Sequence, residues 1–137
     1  MFGSFVSVAQ TRLPLGGIQR IFVYSYPSSP RESQVASITR ELIKFGFTVV
    51  DDRSQAEAIL TGEEQREVVL HGDGSERDKA IFNYSLSLQD GTNVWKHTVK
   101  FVSKSSPADD TSYAAIKIAE RLSKDRAKSQ RKAFRPY

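Results

Sequence analysis

The stretch that decides the fold is Gly46-Phe47-Thr48-Val49-Val50-Asp51, followed after a short polar run by Ala56-Glu57-Ala58-Ile59-Leu60-Thr61-Gly62. Gly46 supplies the left-handed position at which helices commonly end. The two apolar runs after it have the length and composition of strands. A helix that closes directly onto strands predicts a fold that combines both kinds of element. The stretch carries no motif that indicates a chemistry.

The residues upstream predict a strand and a capped helix. Residues 18–24 are rich in β-forming side chains. Ser29-Pro30-Arg31-Glu32 supplies an N-cap serine, a proline at the first helical position and a glutamate three residues past the cap. Apolar residues at helical spacing then predict a helix over residues 30–45. With a second strand over residues 47–50, this unit is a right-handed crossover whose two parallel strands lie inside the sheet.

Three further strands are predicted as an antiparallel meander. The third runs over residues 58–70 and includes a bulge at Gly62. Residues 82–88 alternate between apolar and polar side chains, which predicts a fourth strand with one wet face. Asp90-Gly91 favours a hairpin into a fifth strand over residues 94–102. One face of the fifth strand carries Trp95, His97, Val99 and Phe101.

A closing helix begins at Ser106-Pro107-Ala108-Asp109, which repeats the serine and proline start. Its apolar stripe is formed by Ala115, Ile118, Ala119 and Leu122. Past Leu122 the stripe ends, and a frayed, basic extension is expected. The element order is therefore β-α-β-β-β-β-α. It predicts a two-layer α+β sandwich with a mixed, mostly antiparallel sheet and both helices on one face.

Length and composition indicate one ordinary globular domain. The chain has 137 residues, of which 39% are hydrophobic and 26% charged. It contains no cysteine, so these residues offer no disulfide, thiolate metal site or lipid-modified cysteine. No apolar stretch approaches the roughly 20 residues that span a bilayer, which argues against an integral membrane protein. The expected division is a flexible N-terminus over residues 1–17, a single domain over 18–123 and a basic tail over 124–137.

The net charge of +4 is concentrated at the C-terminal end. Residues 121–137 hold seven basic side chains against Asp125 alone, so the remainder of the chain is mildly acidic. Clustered cations attract the phosphates of nucleic acid or of an anionic bilayer. The predicted polyanion contacts are Lys124, Arg126, Lys128, Arg131, Lys132 and Arg135.

The N-terminal residues admit two interpretations. Small residues at Ser7 and Ala9 fit signal-peptidase cleavage before Gln10, but no Lys or Arg precedes the apolar residues. The segment is either a frayed terminus or the remnant of a signal peptide that begins upstream. A periplasmic or otherwise exported protein is the favoured prediction, with a cytoplasmic protein as the alternative.

The polar residues that could carry chemistry have no catalytic spacing. Asp51 and Asp52 follow a strand, yet this pair is typical of a turn. The loop His71-Gly72-Asp73-Gly74-Ser75 lacks the Lys-Ser/Thr ending of a phosphate loop, and His97 lies within a strand. No catalytic residue, cofactor or metal ligand is predicted. The aromatic residues Phe82, Tyr84, Trp95 and Phe101 could stack on bases, but core packing is favoured.

Residues 18–125 resemble a class of small bacterial envelope domains. The class includes the LPS-assembly lipoprotein and the N-terminal domains of the curli-secretion lipoprotein and of the Tol-Pal translocation protein. The likeness rests on the deciding stretch together with Ile21-Phe22-Val23, Ser87-Leu88-Gln89-Asp90 before Val94-Trp95, and Ser106-Pro107. The resemblance implies a non-enzymatic module that binds partner proteins or helps to assemble envelope machinery. The chain departs from the lipoprotein members because it lacks the N-terminal cysteine that would be lipidated.

Two other functions remain open. The first helix, strands three to five and the closing helix together give the α-β-β-β-α order of a double-stranded RNA-binding domain. Such domains place lysines where this chain has Ser106-Pro107-Ala108-Asp109-Asp110, and the first two strands have no place in that fold. An enzyme would require Asp51, Asp52, His71, Asp73 and His97 to converge. The first prediction is a non-catalytic binding or assembly module of the envelope, with the exposed sheet face or the basic tail as its contact surface.

Overall fold

The computed structural model describes residues 15–25, 31–103 and 106–133. The helices and strands are β1 (Arg20–Ser25), α1 (Arg31–Lys44), β2 (Thr48–Val49), β3 (Ala58–Leu70), β4 (Glu76–Leu88), β5 (Asn93–Val102) and α2 (Pro107–Ala133). The predicted element order is confirmed. So is the α+β class, because both helices pack on one face of a single five-stranded sheet.

The strands lie in the order β2-β1-β3-β4-β5. β1 pairs in parallel with both β2 and β3, and β3, β4 and β5 form the predicted antiparallel meander. The prediction that β2 lies inside the sheet is wrong, because β2 is a two-residue strand at the edge. A turn at Asp52 leads the chain to the other side of β1, where β3 continues the sheet.

Gly62 has a different role from the predicted bulge. The register of β3 on β4 runs without a shift from Ala58 opposite Leu88 to Leu70 opposite Glu76. Gly62 lies opposite Tyr84, and a Cβ atom at Gly62 would come within 2.5 Å of the Tyr84 ring. The glycine is therefore required by the close approach of this ring. The irregularity in the meander lies instead between β4 and β5, after Leu86.

The hydrophobic core lies between the sheet and the two helices. The alternation predicted for β4 is confirmed, because Phe82, Tyr84, Leu86 and Leu88 are buried while the residues between them are partly exposed. The helices contribute Ile38, Leu42, Ile118 and Leu122, which are all fully buried. This burial of large apolar side chains supplies most of the driving force for folding.

The predicted start of α2 is confirmed. The backbone N–H of Asp109 donates to Ser106 Oγ at 3.2 Å, as expected of an N-cap serine. The corresponding prediction for α1 involves Ser29 and Pro30, which lie outside the described residues. Asp110 in the first turn of α2 is buried and accepts a hydrogen bond from Arg66 Nη1 at 2.8 Å.

The prediction of a frayed extension after Leu122 is wrong, because α2 continues to Ala133. Its last turns are held by polar contacts that an apolar stripe does not reveal. The guanidinium of Arg126 lies 3.7 Å above the centre of the Phe47 ring and donates to the carbonyl oxygens of Ile18 and Phe45. Such stacking is energetically favourable, more so where water is excluded.

The same turns of α2 hold the beginning of the described chain. Leu15–Gly17 form a short 3-10 helix, and the Gly16 N–H donates to Ser129 Oγ at 2.9 Å. Gln130 Nε2 donates to the Gly16 carbonyl at 3.0 Å. The predicted flexible segment thus does not include residues 15–17. Residues 1–14, with the predicted cleavage site, lie outside the described part of the chain.

The β3–β4 hairpin extends beyond the layer of helices. Val68 and Leu70 near its tip are 66% and 71% exposed. Arg66 lies where the helices stop covering the hairpin. In addition to its bond to Asp110, its Nη2 atom lies 2.7 Å from Glu64 Oε2. The buried part of the hairpin therefore ends at an ion-pair cluster of Glu64, Arg66 and Asp110.

The substitution Gly62→Ala is expected to destabilise the protein by about 1–3 kcal/mol, because a methyl group would overlap the buried Tyr84 ring. Chemical denaturation measures the change. The matched control is Gly72→Ala, since a Cβ atom at Gly72 meets nothing within 4 Å. Equal stability of the two variants would contradict the role assigned to Gly62.

Candidate anion-binding groove

A basic groove lies between the C-terminal half of α2 and strand β5. It is an open cleft of about 480 Å³. Its walls carry the basic residues Lys117, Arg121, Lys124, Lys128 and Arg131, together with Glu120, Asp125 and His97. The five basic residues recur every three or four positions, so they form one stripe along α2. Five cations against two carboxylates give the groove a positive potential.

The base of the groove joins α2 to β5. The indole N–H of Trp95 donates to Asp125 Oδ2 at 2.8 Å, and Arg121 Nε donates to the same oxygen at 3.1 Å. The His97 ring lies 6.2 Å from the Trp95 ring, centre to centre. Trp95 is buried in the core, and its indole N–H reaches Asp125, which lines the groove.

Two titratable groups in the groove have shifted pKa values. Partial burial raises the pKa of the Asp125 carboxyl, but the hydrogen bonds from Trp95 and Arg121 outweigh it, so that pKa is lowered overall. Partial burial and the charge of Arg121 lower the pKa of His97, against the attraction of Asp125. At neutral pH, Asp125 is therefore ionised and His97 is uncharged.

The predicted contact residues divide into three groups. Lys124, Lys128 and Arg131 line the groove together. Arg126 lies elsewhere, since its guanidinium is engaged by Phe47 and by two carbonyl oxygens. The side chain of Lys132 and all of Arg135 lie outside the described part of the chain.

The sequence reasoning missed Lys117 and Arg121 as members of the stripe. Their spacing to Lys124 is helical, which was visible in the sequence. Because the helix was predicted to end at Leu122, Lys117 and Arg121 were assigned to a different segment from the basic tail, and the continuous stripe was not recognised. The tail is helical as far as Ala133. Its cations therefore continue the basic stripe that begins at Lys117.

The residues considered for catalysis do not converge. Asp52 caps the short helix Arg53–Gln55 by accepting the Ser54 N–H at 2.9 Å, which matches the predicted turn. Asp73 accepts the Ser75 N–H in the β3–β4 loop. The two loops lie at opposite ends of β3, whose 13 residues span about 40 Å. Within the described ranges, no group of three histidine or acidic residues could hold a metal ion.

The sheet face opposite the helices is the second candidate surface. A shallow depression there is lined by polar residues that include Thr61, Glu63, Asn83, Ser85, Lys96 and Thr98. Thr98 Oγ1 donates to Asn83 Oδ1 at 2.7 Å. Phe82, Tyr84 and Trp95 are buried, which confirms their interpretation as core residues.

Comparisons with known proteins address the fold. No family model matches the sequence, and no curated protein matches it significantly. A minor lipoprotein from Acinetobacter baumannii aligns over 80% of this chain and 95% of its own, with 9% identity and a TM-score of 0.52. The two share a fold. The resemblance to small bacterial envelope domains is thus confirmed for the architecture.

Two further structures align less closely. Uncharacterised lipoprotein B from Nitrosomonas europaea matches 90% of this chain and 95% of its own, at 12% identity and a TM-score of 0.49. A lipoprotein from Neisseria meningitidis matches 77% of this chain and 99% of its own, at 12% identity and a TM-score of 0.48. In the described part of this chain, neither helix contains an apolar stretch long enough to cross a bilayer.

The substitution Asp125→Asn is expected to lower the pKa of His97 further. The amide retains an acceptor for Trp95 but removes the negative charge that favours the imidazolium. An NMR titration of the histidine ring protons measures the change. His71, the other histidine of the chain, is the internal reference. Glu120→Gln removes a charge from the same groove and should shift His97 less. An unchanged His97 in Asp125→Asn would contradict this electrostatic description.

Proposed function

We propose that the chain is a non-catalytic binding module in the assembly of bacterial envelope machinery, and that its basic groove contacts an acidic segment of a partner protein. The observation that carries the proposal is the stripe of five cations from Lys117 to Arg131 on one wall of a cleft. A cleft lined by one sign of charge concentrates its field and accelerates the association of an oppositely charged partner.

The charges of the groove are available to a partner. Asp125 is already engaged by Trp95 and Arg121, and Lys128 also acts on it through its charge, but the groove holds three more basic residues than carboxylates. Lys117, Lys124 and Lys128 are exposed. Solvated cations of this kind contribute mainly to the rate of association and to specificity. A reversible contact with an acidic protein surface fits these properties.

In the described part of the chain the acid and base groups do not converge, which supports a non-catalytic role. Asp52 and Asp73 accept hydrogen bonds within their own turns, which is a structural role. Partial burial and the charge of Arg121 keep His97 uncharged, and the residues that line the groove include no serine, threonine or cysteine that it could activate. Binding is the chemistry that these residues support best.

The envelope part of the proposal rests on two observations. The fold is similar to that of the Acinetobacter baumannii protein, which is described as a minor lipoprotein. Residues 2–9 end in the small residues that precede signal-peptidase cleavage. An exported, periplasmic protein is the proposal that combines them.

Two features argue against a double-stranded RNA-binding domain. β1 is hydrogen-bonded between β2 and β3 inside the sheet, and that fold has no counterpart of β1 or β2. The start of α2, which would meet phosphates, carries Asp109 and Asp110. Double-stranded RNA is therefore included only as a competing probe in the binding experiment.

The double substitution Lys124→Glu with Lys128→Glu is expected to weaken binding to poly-L-glutamate by about ten-fold or more. Each exposed ion pair contributes up to about 1 kcal/mol, and charge reversal also adds repulsion. Fluorescence anisotropy with labelled poly-L-glutamate measures the affinity. Raising the ionic strength to about 0.15 M shortens the Debye length to about 8 Å and should weaken wild-type binding as well.

The control for this experiment is Arg53→Glu with Arg77→Glu, which changes the net charge equally at two exposed positions outside the groove. An equal loss of affinity in both double variants would show a net-charge effect and overturn the groove as the contact surface. Anionic phospholipid vesicles and double-stranded RNA serve as competing probes. Tighter, groove-dependent binding to either of them would replace the acidic protein as the partner.

Export predicts a mature protein that begins at Gln10 and is found in an envelope fraction. Intact mass spectrometry of the native protein from fractionated cells tests compartment and processing together. A form that retains Met1 in the cytosolic fraction would remove the envelope from the proposal. In that case the affinity measurements alone would decide whether the basic groove binds an acidic partner.

A further inference from the structure

We propose that the outer edge of β5 accepts an added strand from an extended acidic segment of the partner protein. This inference rests on the proposed function, since it specifies how the acidic partner is held beside the groove. Strand addition supplies affinity through main-chain hydrogen bonds, while side-chain charges supply specificity.

The position of β5 makes this edge suitable. β5 is the last strand of the sheet and has ten residues, whereas β2 at the opposite edge has two. Among the described residues, no strand pairs with the outer side of β5. A ten-residue edge presents a row of N–H and C=O groups that forms a template for another chain.

The residues whose backbone groups face outward can be assigned from the ladder. The Ser103 N–H donates to the Asp78 carbonyl at 2.8 Å, which marks these opposite residues as a hydrogen-bonded pair. Hydrogen-bonded and non-bonded pairs alternate along antiparallel strands. The regular register then gives the outward N–H and C=O groups to Lys96, Thr98 and Lys100.

The side chains at this edge select for acidic residues. Lys96 and Lys100 lie two positions to either side of Thr98 on the sheet face away from the helices, and both are exposed. A second copy of β5 centred antiparallel on Thr98 would place lysine opposite lysine, which is unfavourable. Acidic residues at the same positions of an added strand would form cross-strand ion pairs.

The other face of the added strand would also meet cations. The residues of β5 that face α2 include His97, which lines the groove together with Lys117, Arg121 and Lys124. A strand added beside His97 would therefore run along the basic stripe. The edge and the groove act as one surface, because positive charge lies above and below the same row of backbone groups.

The test uses a capped Glu-rich peptide that carries Glu on both faces of its extended chain and is long enough to span β5, and the variants Thr98→Pro and Thr98→Val. Proline removes the outward N–H, and it is tolerated on edge strands whose N–H faces solvent. Both variants lose the hydrogen bond to Asn83, so Thr98→Val is the matched control. We expect about ten-fold weaker peptide binding in Thr98→Pro and an affinity within about two-fold of wild type in Thr98→Val.

Hydrogen exchange of the wild-type protein provides the second measurement, which holds even if Thr98→Pro fails to fold. The peptide should slow exchange of the Lys96, Thr98 and Lys100 amides while the amides of β3 are unchanged. If these three amides already exchange slowly without peptide, the edge is occupied by the chain itself or by a second copy. That result overturns the inference.

The outcomes separate the inference from the proposed function. If Thr98→Pro binds the peptide like wild type while Lys124→Glu with Lys128→Glu does not, the groove is the contact surface and strand addition is wrong. If neither variant changes the affinity, both proposals are wrong. Loss of binding in both variants, with the amide protection described, supports strand addition at a basic edge.

Discussion

The contact of Arg126 with Phe47 is the interaction on which the candidate surface depends. The final turns of α2 lack an apolar stripe, and helix ends without tertiary contacts fray. Arg126 fixes them by covering the buried Phe47 ring and by donating to the carbonyl oxygens of Ile18 and Phe45. Because this guanidinium, together with the contacts of Ser129 and Gln130 to Gly16, holds the last turns, Lys128 and Arg131 project from a defined helix toward β5. Without that anchor the positive charge would be spread over a flexible tail.

The two sides of α2 use the same kinds of polar residue for different purposes. On one side, Arg126 and Ser129 are turned toward the first described residues and contribute to stability. On the other side, Lys124 and Lys128 remain solvated, and the cations converge with the edge of the sheet. The link between Trp95 and Asp125 keeps β5 and α2 in register, so the backbone edge and the basic stripe present a single surface.

Local patterns in the sequence were sufficient for most of the fold. The alternation over residues 82–88 gave β4, Asp90-Gly91 gave the hairpin with a positive φ at Gly91, and Ser106 gave the start of α2. The end of α2 could not be predicted in this way. It depends on a hydrogen bond between residues 108 positions apart, which leaves no trace in local periodicity. The groove was missed for the same reason, because its basic stripe extends across Leu122, where the helix was predicted to end.

The overhanging β3–β4 hairpin divides the sheet into parts of unequal stiffness. As far as Arg66, β3 lies under the helices, and its ladder can open only when the core opens. Past Arg66 the helices no longer cover the hairpin, and past Val68 it is a two-stranded ribbon, a structure that is marginally stable alone. The ion pairs of Arg66 with Glu64 and Asp110 mark the boundary between them. The sheet around β5 is thus the stiffer part of the molecule, and the tip of the β3–β4 hairpin can twist without disturbing the core.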